Sequence, residues 1–536
     1  MTIASRLFLC LLLSIPCTAA AAPAVCNAGV VYDDLDGDGA RDAGETGLAG
    51  VRVSDGRRVV VTDATGAWHL PAEAGRTTFV IKPAEFKLPT GVDGLPVFWR
   101  HVQPSAGPAL KYGGLPTMDA ACHDFALIRR KDRQGGDLQV LLFGDPQAKS
   151  MQDVGYYARD IVEPLLADGP GARGLGLSLG DIANDDLSLY PAMKAVTARL
   201  RTPWLHVPGN HDLDLDARRD EDSLQTFRRE FGPDTLAWEE SQAVFVTLDD
   251  IVYRPGDRPA YVGGLREDQF EFLQAYLPTV PRDRLLVVAA HIPFFDAAAP
   301  GQAPTFRTAD RERLFALLRD FPHVLLLSAH THNQRHYFHG AAEGWHGMQP
   351  LHEYNVGAAC GAFWSGVKDD AGIPDARMSD GTPSGYATLA VRTGGEYALA
   401  WHPARDPADA QVALHAPKVL RRGAYPAWGV YANVFMGHEG TRVEYRVDEG
   451  EWRPMQRVLQ PDPGLLAENV RDDEAPRLRG YDRSPEATPS QHLWRGALPT
   501  NLAAGAHRVQ VRAFGVRPGK EFDIAELSYE LAEAQP

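Results

Sequence analysis

A chain of 536 residues exceeds one ordinary domain and points to about three. With 44% hydrophobic and 23% charged residues it has the balance of a soluble globular protein, which excludes a collagen, a disordered chain and a polytopic membrane protein. Lys and Arg number 54 against 70 Asp and Glu, a formal charge of −16, so no broad nucleic-acid surface is expected, and anions would be handled where bound metal supplies positive charge.

Residues 1–24 read as a secretory signal peptide: Arg6 is a short positive region, Leu7 to Ile15 an apolar run, and Ala22-Pro23-Ala24 an A-x-A cleavage site. That run is too short to span a membrane as a standard helix, and no later apolar run is long enough, so the mature chain is expected to lack a transmembrane segment and to be periplasmic or secreted. Cys10 and Cys17 leave with the signal. Cys26 and Cys122 bracket the first region and are expected to pair in an oxidising compartment, with Cys360 buried and free.

Residues 25–130 are strand-rich: Val51–Val53, Val59–Val61 and Thr77–Ile81 are β-type runs, with turns at Asp55-Gly56 and Thr65-Gly66. The spacing predicts a small β-sandwich, and polar 129–136 reads as a linker. Within this region Asp34, Asp36, Asp38, Gly39, Asp42 and Glu45 fall at the spacing of an EF-hand loop, here flanked by strand, and predict a stabilising Ca²⁺ site. Residues 137–405 alternate short apolar runs (139–143, 175–179, 204–207, 244–248, 285–289, 324–327) with helical patterns near 156–166, 187–200, 222–231, 266–276 and 310–319. Such alternation predicts an α/β layer architecture with buried sheets. Residues 415–536 return to β, with strands expected at 431–435, 442–447, 507–514 and 524–529 and a long surface loop at 460–490.

Five polar blocks carry the chemistry. Asp145-Pro146-Gln147, Gly180-Asp181-Ile182-Ala183-Asn184, Gly209-Asn210-His211-Asp212, His291 and His330-Thr331-His332 each lie just beyond an apolar strand. Residues there converge on one rim of a strand–helix fold. Acids, amides and imidazoles are mixed O and N donors. Asp145, Asp181, Asn210, His291, His330 and His332 exceed what one closed four-coordinate site needs, so two cations sharing a carboxylate are expected. His211 is the imidazole left over to protonate a leaving alkoxide.

The ordered set D-x-Q, G-D-x-x-N, G-N-H-D, H and H-x-H resembles the calcineurin-like metallophosphoesterase family over the middle half of the chain. The resemblance implies a four-layer αββα core, here flanked by N- and C-terminal β-sandwich domains like those of an exported bacterial subgroup. It implies Asp145, Gln147, Asp181 and His332 around a first metal, and Asp181, Asn210, His291 and His330 around a second. His211 would donate the proton, and a metal-activated hydroxide would attack a phosphate mono- or diester. Two positions depart from the pattern. Gln147 stands where many members have histidine, and Ala329 replaces the glycine usual before H-x-H. An amide oxygen is a harder, weaker donor, so among Mn, Fe, Zn and Mg the first site should favour Mn²⁺ or Mg²⁺ over Zn²⁺. Some D-x-Q members cleave diphosphates, which makes a Mn-dependent nucleotide diphosphate pyrophosphatase the second reading. A non-catalytic exported binding protein with a silent core is the third.

Gly357–Gly366 resembles a loop of that subgroup, with Trp364 and Ser365 as candidate substrate contacts beside Asn184. His206 is expected to be a strand residue with a satisfied side chain. His323, His336 and His339 are expected to be structural or solvated, and Asp185, Asp186, Asp214 and Asp216 to support ligands or cap helices.

Overall fold

The computed structural model describes residues 26–533 apart from 119–121, 132–135, 168, 170–172, 300, 408 and 480–481. The expected signal peptide lies outside the described residues. The apolar runs of the middle region become strands buried on both faces. Leu175–Leu179 and Leu285–Ala289 have every residue buried, as expected where helices cover a parallel sheet.

Two sheets form the core. The first runs, in spatial order, 204–207, 175–179, 138–143, 385–391 and 397–403; its first three strands are parallel and its last two antiparallel. The second runs 236–239, 243–247, 285–289, 324–328, 351–355 and 335–339, with four parallel strands between antiparallel edges. Helices Met151–Tyr157 and Glu163–Ala167, joined by a π turn at Ala158–Val162, belong with helix Tyr190–Ala198 to the outer layer of the first sheet. Glu267–Tyr276 and Thr308–Leu318 belong to that of the second. This is the αββα fold.

The N-terminal region is two four-stranded sheets closed by the Cys26–Cys122 bridge. It packs on the core through Arg52–Glu239 (3.0 Å), Arg76–Asp268 (2.6 Å) and a Phe98–Trp238 ring contact at 5.8 Å. The C-terminal region has a four-stranded and a five-stranded sheet. It corrects one expectation: part of the supposed surface loop 460–490 is helix Pro463–Glu474. Its start was written in the sequence, because Asp462 caps the Leu465 N–H at 2.9 Å and Pro463 takes the first helical position. Among the described residues, no helix is long and apolar enough to cross a membrane.

Candidate metal centre

The parallel strands of both sheets end at the same rim, and the five polar blocks meet there. Strand 138–143 delivers Asp145 and Gln147, 175–179 delivers Asp181, and 204–207 delivers Asn210. From the second sheet come His291 after 285–289, and His330 and His332 after 324–328. Asp145, Gln147, Asp181, Asn210 and His291 are all buried. The backbone at this rim is strained. Of ten non-glycine residues with left-handed φ among those described, five are Asp145, Gln147, Asp181, His330 and His332. Such conformations cost on the order of 1–3 kcal/mol each and collect where surrounding structure dictates them.

Buried clamps hold these turns. Asp212 accepts from Ile182 N (3.1 Å), Gly209 N (2.9 Å) and Tyr190 OH (2.9 Å), tying the Asp181 and Asn210 turns together. Asp250 accepts from His291 N (3.1 Å) and Ile292 N (2.9 Å). Asn355 accepts the Thr331 hydroxyl at 2.6 Å within the H-x-H turn. Sequence reasoning missed Asp250 and Asn355, and it left Asp212 without a role although the residue closes the G-N-H-D block.

The ligand atoms crowd one point. His291 Nε2 lies 3.1 Å from Asn210 Oδ1, 3.2 Å from His330 Nδ1 and 3.3 Å from Asp181 Oδ2. A single imidazole N–H serves one of those atoms, whereas a cation in their midst satisfies all four. Nδ1 of His291 is occupied by the Leu179 carbonyl at 2.7 Å, the outer hydrogen bond typical of a metal-ligating histidine. Ligand atoms of Asp181, His291 and His330 all fall within 4.8 Å of one another. The other candidates adjoin more loosely: Gln147 Nε2 is 3.3 Å from Asp181 Oδ2, and His332 Nε2 is 3.7 Å from Asp145 Oδ1. A half-turn of the Gln147 amide presents its oxygen instead.

Charge in the cluster is tightly coupled. Burial drives Asp145 above the usual carboxylate range, while at Asp181 burial is outweighed by His291 and His211 and the group stays low. His291 is raised to about 10, because the charges of Asp181 and Asp145 overcome its burial. Burial lowers His330 to about 3 and His332 to about 4, so both are neutral imidazoles suited to ligation.

His211 stands at the rim with its side chain 29% exposed, its N–H bonded to Asp181 Oδ1 and its Nδ1 2.8 Å from Asp185 Oδ1. Burial opposes the charged ring, but the Asp185 hydrogen bond and the charges of Asp181 and Asp185 raise it above 6.5. Asn184 is half-buried on the turn that carries Asp181, its N–H on the Ala148 carbonyl at 3.0 Å.

Trp364 and Ser365 are corrections. Trp364 has no exposed surface and donates its Nε1–H to the Pro146 carbonyl at 2.9 Å, supporting the Asp145–Gln147 turn from beneath. Ser365 is buried with its hydroxyl on the Ala362 carbonyl. The exposed side chain of that loop is Phe363, whose ring lies 4.7 Å from His332 and under the Lys149 ammonium at 4.5 Å. His206 is another correction: it lies in strand Trp204–Val207 as expected, but it is buried and neither ring nitrogen has a hydrogen-bond partner. Cys360 is buried and free as expected. The acidic N-terminal loop is brought together in two groups, Asp34, Asp36 and Glu45, and Asp36, Asp38 and Asp42. Asp34 and Glu45 already accept the N–H groups of Gly37 (2.7 Å) and Leu35 (2.8 Å).

A rim of acids and imidazoles above two stacked sheets, compatible with two divalent cations, defines a metal-dependent hydrolase of phosphoester bonds. The chain belongs to the calcineurin-like phosphoesterase family: residues 138–334 match its calcineurin-like phosphoesterase domain, 36–111 the N-terminal and 353–522 the C-terminal domain of such proteins. No curated protein sequence matches. Among solved structures, the purple acid phosphatase PPD1 of yellow lupin (Lupinus luteus) is similar at 13% identity and a TM-score of 0.38, over 71% of this chain and 68% of that one. GAP50, described as the anchor in the inner membrane complex of Plasmodium, is similar at 13% identity and 0.30, over 51% and 86%. Phosphopantetheinyl hydrolase of Mycobacterium tuberculosis stands at 13% and 0.28, over 43% and 92%.

Proposed function

We propose that the chain is an exported phosphoesterase holding two divalent cations, with Mn²⁺ favoured. Asp145, Gln147, Asp181 and His332 would surround one, and Asp181, Asn210, His291 and His330 the other. The observation that carries this reading is the crowding of oxygen and nitrogen atoms around His291 Nε2, which hydrogen bonds alone do not satisfy. Bound there, the cations would supply Lewis acidity to phosphoryl oxygens and lower the pKa of a water. The chain's own part is orientation and proton transfer. His211 gives its Nδ1–H to Asp185, which leaves Nε2 to protonate the departing oxygen. Export is supported by the Cys26–Cys122 bridge together with the leader-like first 24 residues.

The test is hydrolysis by the mature chain, with Mn²⁺ added, of p-nitrophenyl phosphate, bis-p-nitrophenyl phosphate and ADP-ribose in parallel. Turnover of at least one, lost in Asn210→Ala, is expected, and the responding substrate names the bond class, the diphosphate reading included. Turnover unchanged in Asn210→Ala refutes the site. His211→Ala should slow poor leaving groups more than p-nitrophenolate, which needs little protonation. An equal loss on both refutes the proton-donor role.

A further inference from the structure

We infer that His492, in the C-terminal β region, is a positioning residue for the metal centre, acting through Asp380 on the loop that carries His330 and His332. The inference rests on the metal-centre reading above.

The H-x-H turn runs directly into Asn333 and Gln334, and both are tied to one point. Gln334 N donates to Asp380 Oδ2 at 2.9 Å, and Asn333 Oδ1 accepts from Asp380 N at 3.1 Å and from the Ser379 hydroxyl at 2.9 Å. Asp380 Oδ2 also accepts from His492 Nε2 at 3.1 Å, so one carboxylate oxygen joins the ligand loop to the C-terminal region. The other end of the imidazole is held as firmly. His492 Nδ1 lies 2.7 Å from Asn433 Oδ1, and the amide cannot be reversed, because Asn433 Nδ2 donates to the Asp380 carbonyl (2.9 Å) and Asp462 Oδ2 (3.1 Å), both pure acceptors. The ring is therefore held at both nitrogens, with the Ser490 hydroxyl also 3.4 Å from Nδ1.

Gln334, Asp380, Asn433 and His492 are each no more than 2% exposed. Asn433 pairs with Leu493 across neighbouring strands Gly429–Val434 and Leu493–Ala497, so a rigid strand pair fixes the imidazole. Removing one member of such a buried, charged network leaves a group unpaired, and the loop must shift to satisfy it. Outer partners of metal ligands commonly matter by about 10–100-fold in metal affinity. A C-terminal domain that merely buttressed the core would show the melting effect without that metal effect.

The experiment is calorimetric titration of Mn²⁺ into chelator-stripped full-length chain, with thermal melting alongside. Wild type, His492→Phe, which keeps an aromatic ring and loses both nitrogens, and His492→Gln, which keeps a donor toward Asp380, are compared. The expected result is about 10–100-fold weaker Mn²⁺ binding in His492→Phe and recovery of most of it in His492→Gln. Wild-type Mn²⁺ affinity in His492→Phe, whatever its melting temperature, overturns the inference. Should that variant not fold, Asp380→Asn, which keeps the volume and loses an acceptor, is held to the same two outcomes. A wild-type chain that binds no Mn²⁺ overturns the metal-centre reading, and this inference with it.

Discussion

Gly209→Ala tests the centre with a single methyl group. Gly209 follows strand Trp204–Val207 through Pro208, and a Cβ there would lie 2.2 Å from Asp181 Oδ1 and 2.3 Å from Asp181 N. Ordinary contact begins near 3.5 Å, so the shortfall is about 1 Å. Gly209 is not among the glycines with left-handed φ, so alanine strains no torsion and the clash is the whole perturbation. Moving the carboxylate alone leaves the clash with Asp181 N, so the Asp181 and Gly209 turns, both clamped by Asp212, must part, and the carboxylate moves with them. It would leave both its place in the proposed ligand set and its 2.8 Å bond to His211 N. A misplacement of about 1 Å costs about 10²-fold, or about 2.7 kcal/mol in the transition state. The assay is kcat/KM on the responding nitrophenyl ester together with metal content per chain. The control is Gly155→Ala, where a Cβ meets nothing within 4 Å. A Gly209→Ala enzyme with two metals and full kcat/KM would refute the reasoning.

Two predictions concern stability. Burial holds His206 at about 3 against 6.5, and its ring lies 4.2 Å from Phe231. The unfolded chain accepts a proton below pH 6.5 that the fold refuses until about 3, so the stability is fully present above 6.5 and falls with pH by about 1.4 kcal/mol per unit. In urea unfolding, the advantage of His206→Phe over wild type should therefore grow by about 2 kcal/mol between pH 7.5 and 5; a difference constant with pH contradicts it. The Cys26–Cys122 bridge spans 96 residues of sequence, so Cys26→Ser with Cys122→Ser should destabilise the N-terminal region by up to about 4–5 kcal/mol. Calorimetric melting unchanged by the double substitution would count against it.

The ligand set was legible because each member follows a run of apolar residues that has to be a buried strand, and strand ends in this kind of fold meet at one rim. The outer strands 385–391 and 397–403 were not legible: the first alternates buried and half-buried positions and so lacks the apolar run that marked the inner strands. Trp364 misled for a different reason. An aromatic in a loop beside a site reads as a substrate contact, and its actual partner, the Pro146 carbonyl, is a tertiary acceptor with no local signature. Asp185 was read as a supporting acid; its carboxylate lies 2.8 Å from His211 Nδ1, on a residue with left-handed backbone, φ 63°.

The first core sheet is interrupted in the chain by the whole of the second. Leu138–Phe143 lies between 175–179, which follows soon after it, and 385–391, which arrives only after every strand of the other sheet. Until that late hairpin exists, an apolar strand presents a bare edge, the kind of surface on which chains pair with their neighbours. A fragment ending at residue 334, where the match to the central phosphoesterase domain stops, would keep that edge open and lack 351–355 as well. The core is thus one folding unit of long sequence separation, slow to close by topology alone.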